Sequence, residues 1–145
     1  MRGGFFHNSI LVEGTVRQFE AMGGTARREY PVRMGRNCGF VDAFIDLDGI
    51  RIVCEAERTP ARIQNDIRKG IELGADVLLI AVPTGDVARA VRRRLRTSRP
   101  KVFAGTPMIF VLTFGALARL LVDKSHFLSV VNVARTTIHQ SPSSL

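Results

Sequence analysis

The sequence predicts an α/β protein: a mixed central sheet flanked by helices. Three observations predict it. Residues 39–57 form two runs broken only by Asp48-Gly49, the pattern of a β-hairpin with a two-residue turn. Residues 77–82 are apolar without alternation, as in a strand covered on both faces. The segments around these runs repeat apolar residues at helical spacing.

Taken in order, residues 8–22 read as a helix, with Leu11, Val12, Val16, Phe19 and Met22 as its stripe, Asn8 or Ser9 as its cap and Gly23-Gly24 as its stop. Residues 25–33 are polar and contain Pro31, which suits an edge strand. Residues 38–47 and 50–57 are the two hairpin strands. Thr59 caps a helix that starts at Pro60, runs to about Leu73 with Ile63, Ile67 and Ile71 on one face, and stops at Gly74. The strand at 76–83 follows. The order strand, helix, apolar strand implies a parallel crossover. Thr84 or Asp86 opens a helix whose inward stripe is Val87, Val91 and Leu95. Residues 107–114 read as a fifth strand and 115–124 as a short helix, together a C-terminal β-α appendage. Residues 126–137 fit strand or helix. The Ser/Pro tail at 140–145 is expected to be disordered, leaving one domain over residues 1–139.

Composition bounds the function. Of 145 residues, 46% are hydrophobic and 23% charged, enough for one core in an ordinary soluble chain. The net charge of +8 and pI near 10.9 favour a polyanionic partner, nucleic acid or an anionic membrane surface. No apolar run is long enough for a membrane span, and no signal peptide is visible. Cys38 and Cys54 form no disulfide framework, and with His7, His126 and His139 they give no zinc spacing. A reducing, cytoplasmic setting is expected.

The chemistry-bearing stretch is the hairpin. Side chains alternate along a strand, so Asp42 shares a face with Phe44 and Asp46, and Glu55 and Glu57 share one with Arg51 and Val53. The two faces coincide or not according to the turn register. If they coincide, Asp42, Glu55 and Glu57 converge, and a hard cation, Mg²⁺ or Mn²⁺, relieves their repulsion. Otherwise the acids are a solvated face, with Glu55 and Glu57 paired to Arg51 and Arg58.

The order helix, Asp-bearing strand, Asp-Gly hairpin, strand ending Glu-x-acid, helix, apolar strand resembles the PD-(D/E)xK nuclease superfamily over residues 8–83. The resemblance implies a restriction-endonuclease-like αβββαβ core and a Mg²⁺-dependent endonuclease. It gives Asp42 and Glu55 as metal ligands, with Val41 where the family has Pro. Glu57 stands in the position of the family lysine; the resemblance implies either an enzyme of the kind that has Glu there, or a lysine role moved to Lys69 on the following helix. Catalytic residues are then Asp42, Glu55, Glu57 and Lys69. Glu13, on the first helix, matches a position where relatives place a further acid near the metal. On the helix after the hairpin, Arg62 with Asp66 reads as a surface pair, while Arg62 and Asn65 are also candidates for phosphate contact.

Arg89, Arg92, Arg93, Arg94, Arg96, Arg99 and Lys101 carry seven positive charges with no acid between them, leaving one of the net +8 for the rest of the chain. Arg89, Arg92, Arg93 and Arg96 are therefore candidate nucleic-acid contacts. The expected partner is double-stranded DNA. A homodimer is expected because cutting two strands takes two sites. The competing expectation is a nucleic-acid-binding protein of the same fold that does not cut.

Overall fold

The structure is a computed structural model, and it describes residues 2–98 and 105–139. Five strands form a single mixed sheet: β1 (Thr25–Met34), β2 (Asn37–Leu47), β3 (Ile50–Ala56), β4 (Val77–Val82) and β5 (Met108–Thr113), adjacent in that order. The pairs β1–β2 and β2–β3 are antiparallel, while β3–β4 and β4–β5 are parallel. The five α-helices are α1 (Arg2–Ala21), α2 (Ile63–Glu72), α3 (Gly85–Ser98), α4 (Phe114–Leu120) and α5 (Lys124–His139).

Helices cover both faces. On one, Leu11, Val16 and Phe19 of α1 meet Leu117 and Leu120 of α4 and Phe127 and Val131 of α5, over Ala43, Ile45, Ile52, Cys54 and Leu79 of the sheet. Phe19 and Phe127 meet edge to face there, centroids 5.2 Å apart. On the other, Ile63 and Ile67 of α2 and Ala88 and Val91 of α3 lie over Val41, Val53, Leu78 and Ile80. Every residue of β4 is buried, as its unbroken apolar run requires.

The turn residues set the register that sequence left open. Asp48 (φ 52°) and Gly49 (φ 83°) both occupy the left-handed region, and Leu47 pairs directly with Ile50, which is the two-residue hairpin turn whose twist matches its strands. The register runs through Phe44 opposite Val53 to Ala43 opposite Cys54, so Asp42 and Glu55 come next on the same side.

Three expectations are corrected, and one open alternative is resolved. The first helix begins at Arg2, so Asn8 and Ser9 lie inside it rather than capping it. The helix after Thr59 opens with a 3-10 turn, Pro60–Arg62, before α2 proper; the Thr59 hydroxyl accepts from the Ala61 amide at 3.3 Å. β5 is no appendage: it extends the main sheet beside β4. The ambiguous 126–137 segment is helical, within α5. The tail at 140–145 lies outside the described residues. Among the described residues no helix is long and apolar enough to cross a membrane.

Candidate metal centre

The site forms where β2 and β3 part. Their ladder ends at Ala43 and Cys54, and beyond it two side chains take over the bonding. The Asp42 amide donates to Glu55 Oε1 at 2.8 Å, and the Ala56 amide donates to Asp42 Oδ2 at 2.8 Å. Each carboxylate is thereby fixed by the other residue's strand.

A break in the side-chain alternation of β2 coincides with this lock. Val41 and Phe44 both belong to the core under α2 and α3, while Ala43 belongs to the opposite core, so regular alternation breaks at Asp42. Across β1, Glu29 sits between the partners of Ala43 and Val41 with φ 48°, an uncommon conformation for a side chain of this kind.

Three carboxylates gather here. Oxygens of Glu55, Glu57 and Asp66 lie within 4.8 Å of one another, and all three residues are buried. Asp66 comes from α2, one helical turn after Ile63 and one before Gly70, on the helix face that packs against the sheet. Sequence reading assigned Asp66 to a surface pair with Arg62, and this is corrected: Asp66 is 1% exposed while Arg62 is exposed. The signal was its place within the buried 63–67–70 stripe. The solvated-face reading of Glu55 and Glu57 falls for the same reason, since both are buried and Arg51 and Arg58 are exposed.

The electrostatics follow from burial. Asp66 is pushed up to about 11 by burial, then by sharing hydrogen bonds with the Glu57 and Glu55 carboxylates, so without a cation it keeps its proton at neutral pH. Its Oδ2 is buried and receives no hydrogen bond. Asp42 is raised to about 6 by burial and by the charge of Glu55, against the pull of the Ala56 amide, Lys69 and Arg62. The ammonium that meets the cluster is Lys69 Nζ, 3.4 Å from Glu55 Oε2 and 2.8 Å from the Phe40 carbonyl. Asp42, Glu55, Glu57 and Lys69 are thus brought to one place.

The other sequence candidates are not among the buried carboxylates. Glu13 is bound by Arg28 at 2.7 and 2.8 Å, and α1 covers the opposite face, so the structure does not bring Glu13 to the cluster. Arg62 and Asn65 are exposed at the start of α2. On α3, Arg89 pairs with Asp86, and Arg92 donates to the Val111 carbonyl at 2.7 Å. Arg93, Arg94 and Arg96 are exposed, while Arg99 and Lys101 lie outside the described residues.

The donor set suits a hard divalent cation, being all carboxylate oxygen. Cys54 offers nothing soft to it: its side chain points into the opposite core, where burial pushes the thiol up.

Fold and site together define an α/β protein with a five-stranded mixed sheet and a buried Glu/Glu/Asp group able to hold a metal ion. No family model matches the chain, and none of the curated proteins does. Among solved structures it is similar to the crystal structure of a protein of unknown function, AF1548, at 14% identity and a TM-score of 0.49. The likeness covers 72% of this chain and 58% of that one.

Proposed function

We propose that the chain is a metal-dependent endonuclease on a restriction-endonuclease-like core, hydrolysing phosphodiester bonds of DNA. The observation that carries this reading is the meeting of Glu55, Glu57 and Asp66 within 4.8 Å, buried, with the Lys69 ammonium 3.4 Å from Glu55. Such a group is costly to bury for structural reasons alone and suits Mg²⁺ or Mn²⁺. A bound divalent cation supplies Lewis-acid polarisation of the phosphoryl oxygen and an acidified water. The chain's own residues do the positioning. Asp42 and Glu55 are held by each other's strands, so their free lone pairs keep a fixed direction. Lys69 takes the role of the displaced lysine, holding positive charge beside the position where negative charge develops. Arg62, near enough to Asp42 to lower it, the exposed Asn65 and the exposed arginines of α3 offer contacts to phosphate.

One observation favours a second reading, a nucleic-acid-binding protein that does not cut. Lys69 is already engaged by the Phe40 carbonyl and Glu55, and Glu57 brings negative charge to the position of the motif lysine. The two readings part on incubation with plasmid DNA and Mg²⁺ or Mn²⁺. Metal-dependent nicking or cutting is expected, with a loss of at least ~100-fold in Asp42→Ala and Glu55→Ala. Undiminished cutting by both variants sinks the nuclease reading. Salt-sensitive binding without any cutting selects the second.

A further inference from the structure

Past Asp42 the sheet thins to two strands. β3 leaves β2 where Ala43 faces Cys54, while β1 and β2 stay paired from Tyr30 opposite Val41 to Met34 opposite Asn37. At the usual rise per residue this ribbon runs on for about 14 Å. Its two faces differ. Tyr30, Val32, Met34 and Val41 turn toward α2 and join that core, and the stem of Lys69 crosses Gly39 there, its Cε 3.6 Å from where a Cβ would stand. Pro31, Arg33, Cys38 and Phe40 alternate with them onto the other face; all four are exposed and none belongs to either core. Phe40, directly opposite Pro31, is 57% exposed.

The ribbon is basic as well as bare. Residues 30–41 contain no acid, and Arg33 and Arg36 are exposed and form no ion pair among the described residues. It is also joined to the carboxylates: the Lys69 ammonium, 3.4 Å from Glu55 Oε2, donates to the Phe40 carbonyl at 2.8 Å. Glu55 lies on the α2 face, in step with Val53, so the ribbon stands between the carboxylates and the Phe40 ring.

We propose that this ribbon is a wedge for DNA whose strands part, a fork or a junction. One strand passes to the carboxylates, and a base of the other stacks on Phe40 while Arg33 and Arg36 meet its phosphates. The proposal rests on the nuclease reading above and deepens it by naming the substrate class. In a closed duplex each base is covered on both faces by its neighbours and offers the ring no free surface, whereas a base at a strand parting does. Every base has a π-face, so the contact selects structure rather than sequence. Pro31 and Phe40 carry no hydrogen-bonding side-chain group, which argues against readout of base edges in a groove.

The test measures binding by the full chain in Ca²⁺, with gels to confirm that the DNA stays intact. A labelled fork with unpaired arms is compared by fluorescence anisotropy with a closed duplex of the same sequence, and circular dichroism verifies folding of each variant. Wild type is expected to bind the fork about tenfold more tightly, and Phe40→Ala to lose that preference with its duplex affinity unchanged. The chain contains no tryptophan, so Phe40→Trp places a single reporter on the ribbon. The fork should quench its emission and the duplex should not. Arg33→Gln and Arg36→Gln should each lower the salt slope of fork binding by about 0.7. Fork and duplex bound alike or not at all, or a tryptophan that the fork leaves unquenched, overturns the proposal, while metal-dependent cutting of plasmid would leave the nuclease reading standing. A Phe40→Ala change that turns a dimer into a monomer without altering fork binding gives this face to a second copy of the chain and likewise overturns it.

Discussion

The two faces of the sheet are built to different ends. Under α1, α4 and α5 the core is apolar, and Thr15, its one buried polar side chain among the described residues, donates to the Leu11 carbonyl. Under α2 and α3 the same sheet buries Glu55, Glu57 and Asp66 next to Ile63, Ile67 and Val53. One face gains stability from burial, while the other gives some up to hold like charges together. The contrast teaches where the two kinds of sensitivity lie: packing changes act on the first face, and protons and cations on the second.

The largest expected effect breaks the first face alone. Phe127→Ala removes a fully buried ring and its edge-to-face partner on Phe19, at a cost of about 3–5 kcal/mol. Urea denaturation measures the loss. Mn²⁺ binding by the folded fraction is expected to survive, because the ring lies across the sheet from the carboxylates. Loss of both together would dissolve the distinction between the faces.

A smaller effect sharpens the second face. Asp42 is held at about 6 against an ordinary 3.8, so between those values the folded chain binds more protons than the unfolded one. Stability from this group is fully present below about pH 4 and lost as pH rises through 6, roughly 1–3 kcal/mol. Asp66, at about 11, continues the fall across the neutral range. Glu13, on the first face, has the opposite sign: Arg28 lowers it, so its contribution is lost as pH falls below its ordinary value of 4.5. The metal-free protein is therefore expected to denature at lower urea at pH 8 than at pH 5. Saturating Mn²⁺ should offset the difference, because ligands bind the metal deprotonated. A midpoint that rises from pH 5 to pH 8 without metal would contradict the buried-carboxylate account.

Legibility in the sequence followed the range of the interactions. Asp48-Gly49 made the hairpin readable, since a two-residue turn is a local decision, and the observed register follows from its geometry. Lys69 was readable because helical spacing after Thr59-Pro60 is also local. Asp66 is not legible in the same way: the spacing of Ile63, Ile67 and Ile71 predicts the inward stripe and leaves Asp66 to a surface pair with Arg62. The buried face is centred on 63, 66, 67 and 70 instead. Glu13 needed knowledge that no spacing holds, namely which side of the sheet α1 covers. The place of β5 beside β4 is likewise a tertiary matter, decided by parallel pairing across the α3 connection.

Arg92 changes the arithmetic of the basic helix. The Met108 amide donates to Asp76, so Met108 faces β4, and by alternation Val111 turns its carbonyl to the open edge of the sheet. Arg92 covers that carbonyl, and Arg89 is matched by Asp86. Of the five arginines described on α3, Arg89 has an acidic partner and Arg92 is tethered to a neutral carbonyl that leaves its charge in place, while Arg93, Arg94 and Arg96 are exposed. If α3 met DNA phosphate, five such contacts would give a salt slope of about −4.5, and the three untethered arginines alone would give about −3. The helix that looks most basic on paper thus has one of its arginines committed to closing the edge of its own sheet.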